Sequence, residues 1–292
     1  MFSLFHAIIS ALTARERTAF RVAATIFFLA FALRGVSAFY ESTTIAPAEG
    51  GTYVEGIVGQ PVAVNPLISL GGDADRDLME LLFADLTELA ESVQSTDGER
   101  TWTVRLRERI AWSDGTPLTS DDVVFTVHAL QDPETASPLA PTWQGVLVER
   151  AGEREVRFIL RTPYAFFADT LAHLKVVPEH IFGTIPAANL RLSDYNFEPV
   201  GSGPYRFVSL EKRRDGFITA YRLAANPQSP VGAPFIVGFT FKFFSTADEA
   251  IEAFNRRTID GLGAVAPDQL EALKVSHQLS ALPMPRYYAL FF

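Results

Sequence analysis

The chain has 292 residues, enough for two domains of ordinary size, and 48% of them are hydrophobic, which indicates buried cores rather than disorder. A net charge of −9 argues against a nucleic-acid partner, because proteins hold phosphates mainly through Lys and Arg. The absence of cysteine excludes disulfides, thiolate metal sites and a lipid-modified N-terminal cysteine.

The first 40 residues have the pattern of an export leader. Three arginines between positions 15 and 21 precede an apolar run over residues 22–33. Positive residues before such a run place the chain beyond it outside the cytoplasmic membrane. The run has the length typical of a cleaved signal peptide. If the Arg34 side chain reaches back to the interface, residues 20–40 are instead an uncleaved membrane anchor, and the sequence leaves both alternatives open.

The leader carries a net charge of +3, which leaves −12 on the rest of the chain. A polar linker follows, and alternation of apolar and polar residues predicts a strand over residues 51–58, with a Pro-rich loop after it. Asp73, Asp75 and Asp77 lack the Gly and Glu that a calcium loop requires at its sixth and twelfth positions. They predict the start of a helix instead, where acidic residues favour the helix dipole.

Residues 101–133 predict a strand, a tight turn and a capped helix. Trp102 and Val104 alternate with polar neighbours as in a half-buried strand, and an Asp-Gly turn follows. Thr119 stands three residues before Asp122, the spacing of a capping box. An apolar helical face then continues to an Asp-Pro pair that ends the helix.

The segment P-V-G-S-G-P-Y at residues 199–205 is predicted to be structural. Its two glycines allow backbone conformations that are closed to other residues. It lacks the Lys-Ser/Thr of a phosphate loop and does not match G-x-S-x-G of a nucleophile elbow. Further strands are predicted over residues 205–208, 217–223 and 236–244, with a helix over 248–254.

Several segments, in order, resemble bacterial extracellular solute-binding proteins of family 5, the receptors of peptide and nickel ABC importers. The most specific is W-S-D-G-T-P-L-T-S-D-D-V-V-F-T, which begins at Trp112. Others are G-G-T-Y-V-E-G and N-P-L before it, and V-P-E-H-I-F, P-V-G-S-G-P-Y and T-I-D after it. The final segment, from Arg286 to Phe292, resembles the strand that leads into the second lobe of that family.

The resemblance implies a mixed α/β fold of the periplasmic-binding-protein-like type II class. Domain I would comprise residues 41–84 and 200–292, and domain II residues 85–199. The chain would hold one lobe and end inside the strand that leads to the other, as a fragment does. The implied function is that of an exported substrate-binding component of an ABC importer. Its partners would be peptide-like ligands, the permease subunits and, through the leader, the membrane, with no cofactor and no nucleic acid.

The resemblance also implies two sets of ligand contacts. Val64, Asn65 and Leu67 lie in a loop that in the family stands at the mouth of the cleft, and Leu139 and Trp143 lie in a Pro-rich loop that can approach the ligand. The residues themselves allow another interpretation. The first set also fits an ordinary Asn-Pro turn, and the second fits an exposed loop held by one buried tryptophan.

Candidate catalytic groups are sparse. The five histidines are scattered without an H-E-x-x-H pattern, no cysteine can act as a nucleophile, and the carboxylates fall at helix starts and turns. The sequence therefore predicts a binding protein rather than an enzyme, with no metal site. A secreted or anchored hydrolase and a membrane-anchored interaction module remain the alternatives, and the ligand stays open between dipeptide, longer peptide, nickel chelate and sugar.

Overall fold

The computed structural model describes residues 13–43, 48–69 and 72–281. The chain divides into two compact units, residues 1–48 and 49–292. In its described residues, the first unit forms the long helix α1 (Ala14–Ser42), which starts at a capping box formed by Thr13 and Glu16. The predicted apolar run is only the middle of this helix, which continues through Arg34. Its portion Ala14–Tyr40 is long and apolar enough to cross a membrane, and its side chains are exposed.

The second unit contains a five-stranded sheet in the order β6-β7-β8-β1-β9. β1 runs parallel to both β8 and β9, whereas β6, β7 and β8 pair in antiparallel fashion. The strands are β1 (Thr52–Val58), β6 (Tyr205–Lys212), β7 (Ile218–Ala225), β8 (Gly238–Phe244) and β9 (Gly261–Leu262).

The residues between β1 and β6 form a four-stranded antiparallel sheet in the order β2-β3-β5-β4. Its strands are β2 (Ala90–Thr96), β3 (Thr101–Leu106), β4 (Leu147–Gly152) and β5 (Glu155–Ile159). The predicted alternation in β3 is confirmed, because Trp102 and Val104 are buried while Arg105 is exposed.

Among the described residues, seven further helices accompany these strands: α2 (Asp73–Leu82), α3 (Leu86–Leu89), α4 (Ser120–Gln131), α5 (Ala140–Trp143), α6 (Phe167–Ala172), α7 (Glu179–Phe182) and α8 (Ala247–Asn255). Three 3₁₀ helices span Ala187–Leu192, Asp194–Asn196 and Pro267–Ala272. The capping box predicted for α4 is present, with the Thr119 N–H donating to Asp122 Oδ2 at 2.8 Å. The strand predicted at residues 286–292 lies outside the described residues.

Each sheet has its own hydrophobic cluster. The four-stranded sheet and α4 enclose the larger one, in which Trp102, Trp143 and Phe158 pack around Phe167 with ring centroids about 6 Å apart. α2 covers the five-stranded sheet and buries the second cluster, whose largest fully buried side chain is Tyr221. The fold is therefore built on two adjoining cores.

The crossing at residues 199–205 is structural, as predicted, but for a different reason. Neither Gly201 nor Gly203 has a positive φ, so neither needs a left-handed backbone. A Cβ atom at Gly201 would instead collide with the Leu82 carbonyl oxygen, and one at Gly203 would lie 2.6 Å from the Leu81 carbonyl oxygen. The glycines are required because this segment passes directly over the end of α2.

Candidate functional site

The carboxyl ends of the parallel strands β1, β8 and β9 lie at one edge of the five-stranded sheet. The chain after β1 enters α2, which packs on the sheet face that carries Ile57 and Phe243. The chain after β8 enters α8, which contacts β1, β8 and β9 and contributes no residue to that cluster. Two neighbouring strands thus connect to opposite faces, the arrangement that forms ligand crevices in open α/β sheets. The loop over residues 59–69, which follows β1, is therefore the candidate site.

Asp75, in the first turn of α2, fixes the first half of the 59–69 loop. Its Oδ1 accepts hydrogen bonds from the Val62 N–H at 2.7 Å and the Ala63 N–H at 3.1 Å. Burial raises the pKa of Asp75, and these two N–H groups act in the opposite direction. Gln60 connects the loop to β7, because its Oε1 accepts a hydrogen bond from the Ile218 N–H at 2.7 Å. These hydrogen bonds fix the backbone of the first half of the loop.

An Asn–Asn pair fixes the second half of the loop. Asn65 Oδ1 accepts from the Leu67 N–H at 2.9 Å, and its Nδ2 donates to Asn196 Oδ1 at the same distance. The Asn196 carbonyl accepts from the Val64 N–H at 2.8 Å, and its own Nδ2 donates to the Leu190 carbonyl at 2.8 Å. Both amide side chains are buried. Because both are hydrogen-bonded, their burial does not leave polar groups unsatisfied.

The structure places the predicted contact residues as follows. Val64 is fully buried in the second cluster and Leu67 in the first, so this loop spans both cores. Asn65 and Trp143 are also buried, and Leu139 is 43% exposed. Ligand contact by these five residues stays a prediction. The four buried ones, Val64, Asn65, Leu67 and Trp143, hold their loops in place in this structure.

Val62 is the loop residue that the sequence analysis missed. Its side chain is 70% exposed at the surface of the 59–69 loop. In a regular strand Val62 and Val64 would share a face, yet one is exposed and the other is buried, so the loop is not a continuous extended segment here. Nothing local in the sequence showed this departure from alternation.

The two family-like segments at Trp112 and at residues 177–182 contact each other. Asp122 Oδ1 accepts from the Glu179 N–H at 2.9 Å, and Thr126 Oγ1 accepts from the Val177 N–H at 3.0 Å. Asp114 Oδ2 lies 2.9 Å from His180 Nε2. Burial raises the pKa of Asp122, opposed by the N–H groups that it accepts from. These side chains are engaged in joining α4 to α7.

A group of acidic and phenolic side chains lies at the β9 edge of the five-stranded sheet. Burial, then the hydrogen bond and charge of Glu55, raise the pKa of Tyr53 to about 12. The pKa of Glu55 is also raised, mainly by burial. The hydrogen bond with the Tyr53 hydroxyl opposes this shift, and the negative charge of Asp77 adds to it. Within residues 13–43, 48–69 and 72–281, no three His, Asp or Glu side chains are arranged to hold a metal ion.

The pKa of Glu55 predicts a pH dependence of stability. The folded chain retains the Glu55 proton at a pH where the unfolded chain, with a pKa near 4.5, has lost it. This stabilisation is complete below pH 4.5 and is lost as pH rises through the folded pKa. As pH rises above 4.5, the denaturation midpoint of the parent chain should fall. That of Glu55→Gln should fall less, because this variant has no proton to lose at position 55.

Chemical denaturation of both chains between about pH 4 and 7 measures this difference. Glu134→Gln is the matched control, because Glu134 is exposed. Parallel curves for the parent chain and Glu55→Gln would contradict the assignment.

Comparison with known proteins shows the relatives of this chain. Residues 87–292 match the sequence model described as "Bacterial extracellular solute-binding proteins, family 5 Middle". The oligopeptide-binding protein AppA of Bacillus subtilis is 29% identical over 282 aligned residues, which cover 90% of this chain and 51% of that protein. Protein XP55 of Streptomyces lividans is 34% identical over 237 residues, which cover 77% of this chain and 42% of that protein.

The fold agrees with these sequence matches. The structure of Bacillus subtilis AppA in complex with a nonapeptide superposes with a TM-score of 0.70 at 29% identity, covering 78% of this chain and 47% of that structure. The predicted mixed α/β fold of the type II solute-binding class is thereby confirmed. The chain spans about half the length of the relatives it matches.

Proposed function

Because the family model matches most of its length, the chain belongs to the bacterial extracellular solute-binding proteins of family 5, and we propose that it binds a peptide-like solute for an ABC importer. The continuous match over residues 87–292 is the observation that carries this proposal. The relatives named above include an oligopeptide-binding protein, and a structure of it holds a nonapeptide. The permease subunits of an importer would be the protein partners.

The mechanism is closure of two lobes around a ligand, with no bond made or broken. Residues 41–84 and 200–292 form domain I of one lobe, and residues 85–199 form domain II. The separate sheet and hydrophobic cluster of each part support this division. The 59–69 loop presents a rigid rim to the ligand, since its backbone is already hydrogen-bonded to Asp75 and Asn196. Such preorganisation lowers the entropic cost of binding.

The loop that carries the exposed Val62 is fixed by the buried side chains of Val64, Asn65 and Leu67, which in this way support ligand contact. Leu139 reaches the ligand from the Pro-rich loop, which Trp143 anchors in the core. The hydrolase alternative is not favoured, because the relatives are binding proteins. Dipeptides, longer peptides, nickel chelates and sugars are the ligand classes that binding measurements must distinguish.

Peptide binding by this chain alone should be weak. A chain about half as long as its relatives supplies part of their ligand contacts, so we expect a Kd at the millimolar end of the scale, about −4 kcal/mol. Titration of the detergent-solubilised chain with a mixture of di- to pentapeptides in a calorimeter measures it. Micromolar or tighter binding would contradict the two-lobe mechanism.

A matched pair of variants then tests the position of the site. Val62→Asp places a charge on the 59–69 loop, while Val208→Asp places one on an exposed valine of β6. We expect Val62→Asp to abolish the heat of binding and Val208→Asp to retain it. Equal effects of the two changes would remove the 59–69 loop from the site.

The exported part is held at the membrane by α1. At 1.5 Å per residue, the portion Ala14–Tyr40, which includes four arginines and Glu16, extends about 40 Å, compared with the roughly 30 Å hydrocarbon core of a bilayer. This length is sufficient for an uncleaved anchor, which we propose here rather than a cleaved signal peptide. Fractionation of expressing cells should find the uncleaved chain in the membrane fraction, resistant to high salt, with residues 49–292 accessible to protease from outside.

Deletion of residues 1–40 is the control and should leave the product in the cytosol. A shorter, soluble extracytoplasmic product from the whole chain would show cleavage instead. A soluble, protease-protected product of full length would contradict export altogether.

A further inference from the structure

An apolar patch lies at the amino ends of β1 and β8, the sheet edge opposite the 59–69 loop. Val231, Phe235, Ile236 and Val237 are 46%, 56%, 36% and 45% exposed, and we call them the 231–237 patch. The last three directly precede β8, which pairs in parallel with β1. Three successive apolar side chains, with Val231 four residues before them in the sequence, are thus exposed, and those three lie at the edge that does not carry the candidate ligand site.

The backbone holds these side chains outward. Three successive carbonyl oxygens each accept a hydrogen bond from another segment: Phe235 from the Gly50 N–H at 2.7 Å, Ile236 from the Tyr205 hydroxyl at 2.8 Å and Val237 from the Ala225 N–H at 2.8 Å. The segment cannot fold back onto the core without losing these bonds. Its exposure is a property of the fold rather than of a loose loop.

The sequence around the patch carries no charge. No Asp, Glu, Lys or Arg stands between Arg222 and Lys242, although the chain after residue 40 has a net charge of −12. Burial of carboxylates or ammonium groups in an apolar medium is costly, and this segment contains none. Residues 223–241 can therefore approach lipid without desolvating a charge of their own, and the charged residue next to Gly50, Glu49, is exposed.

The chain enters the second unit beside this patch. Seven residues, 43–49, connect the end of α1 to Gly50, and a fully extended chain of that length spans at most about 25 Å. Gly50 donates directly to the Phe235 carbonyl. If α1 spans a bilayer, the connecting residues therefore limit Gly50 to at most about 25 Å from the end of that helix.

We propose that the 231–237 patch rests on the outer surface of the bilayer, with its apolar side chains among the lipid head groups. This inference rests on the proposed anchoring by α1. The contact turns the carboxyl-end edge of the sheet, with the 59–69 loop, away from the lipid. Apolar side chains in the interface, with a second attachment to the membrane, are the features of peripheral membrane contacts.

Site-directed spin labelling tests the proposal, and the absence of cysteine makes single labels straightforward. Val237→Cys and Val58→Cys are matched, because the parent side chains are 45% and 46% exposed at opposite ends of neighbouring strands. Phe28→Cys, within α1, reports on the anchor. The whole chain is reconstituted in vesicles of phosphatidylcholine and phosphatidylglycerol, and collision rates with oxygen and with a water-soluble nickel complex are compared.

We expect the ratio of oxygen to nickel collisions to be several-fold higher at positions 28 and 237 than at position 58. Adding Phe235→Glu to the Val237→Cys chain should return its label to the ratio found at position 58. A lipid-like ratio at position 28 with a water-like ratio at 237 overturns the patch contact alone. Water-like ratios at both positions overturn the anchor and the contact together. A label at Val231→Cys repeats the measurement should Val237→Cys fail to fold.

Discussion

Replacing Trp112 with alanine should lower the free energy of unfolding by about 3–5 kcal/mol. The Trp112 side chain is fully buried and belongs to the larger hydrophobic cluster. Its backbone is fixed on both sides, since its N–H donates to the Thr116 carbonyl and its carbonyl accepts from the Gly115 N–H, each at 2.8 Å. A backbone held in this way cannot collapse into the cavity, so the loss should lie toward the upper part of that range.

The measurement is denaturant unfolding followed by the fluorescence of Trp102 and Trp143, which pack in the same cluster. Phe166→Ala is the matched control, because that aromatic side chain is 68% exposed and should change stability by less than about 0.5 kcal/mol. A loss below about 1 kcal/mol for Trp112→Ala would mean that the family-like segment is not part of the core.

Gly201→Ala should destabilise the fold by about 3 kcal/mol or more, because the added methyl group meets the Leu82 carbonyl oxygen. The crossing has little freedom to move aside. The Gly201 carbonyl accepts from the Ser113 N–H at 2.8 Å, and the Gly203 N–H donates to the Leu82 carbonyl at 2.8 Å. Ser202 Oγ also accepts from the Ala84 N–H at 3.2 Å. Any shift that relieves the clash weakens these bonds.

Gly152→Ala is the control for this change. At Gly152 the nearest atom to an added Cβ would be 3.7 Å away, an ordinary contact, and φ is not positive. We expect it to alter the unfolding free energy by less than about 1 kcal/mol. If Gly201→Ala proved equally mild, the segment over α2 would have to be looser than its hydrogen bonds indicate.

The sequence by itself determined the elements whose signals are local. The α4 helix was predicted because the Thr119–Asp122 capping box and the final Asp-Pro pair lie within one short stretch of chain. β3 was predicted because alternation along a strand requires no knowledge of its partner. The apolar run near the N-terminus is a local signal of the same kind and lies within α1, and the family segments identified the fold class that the comparisons confirm.

Only the tertiary structure decided which side chains of the 59–69 loop are buried. Val64 enters one core and Leu67 the other, and Asn65 is bonded to Asn196, which lies 131 residues further along the chain. The sequence shows the Asn-Pro turn but not the two cores on either side of it. Whether a loop side chain is exposed depends on the elements that pack around it, and those are distant in sequence.

The glycines of the 199–205 crossing show the same division. The sequence determined that this segment is structural, since it lacks the residues of a phosphate loop or a nucleophile elbow. It attributed the glycines to backbone dihedral angles, whereas the structure attributes them to the space beside Leu82, more than 100 residues away. Dihedral preferences are local and can be read along a chain. A close approach between two segments exists only once the chain is folded, and for that reason only the tertiary structure could reveal it.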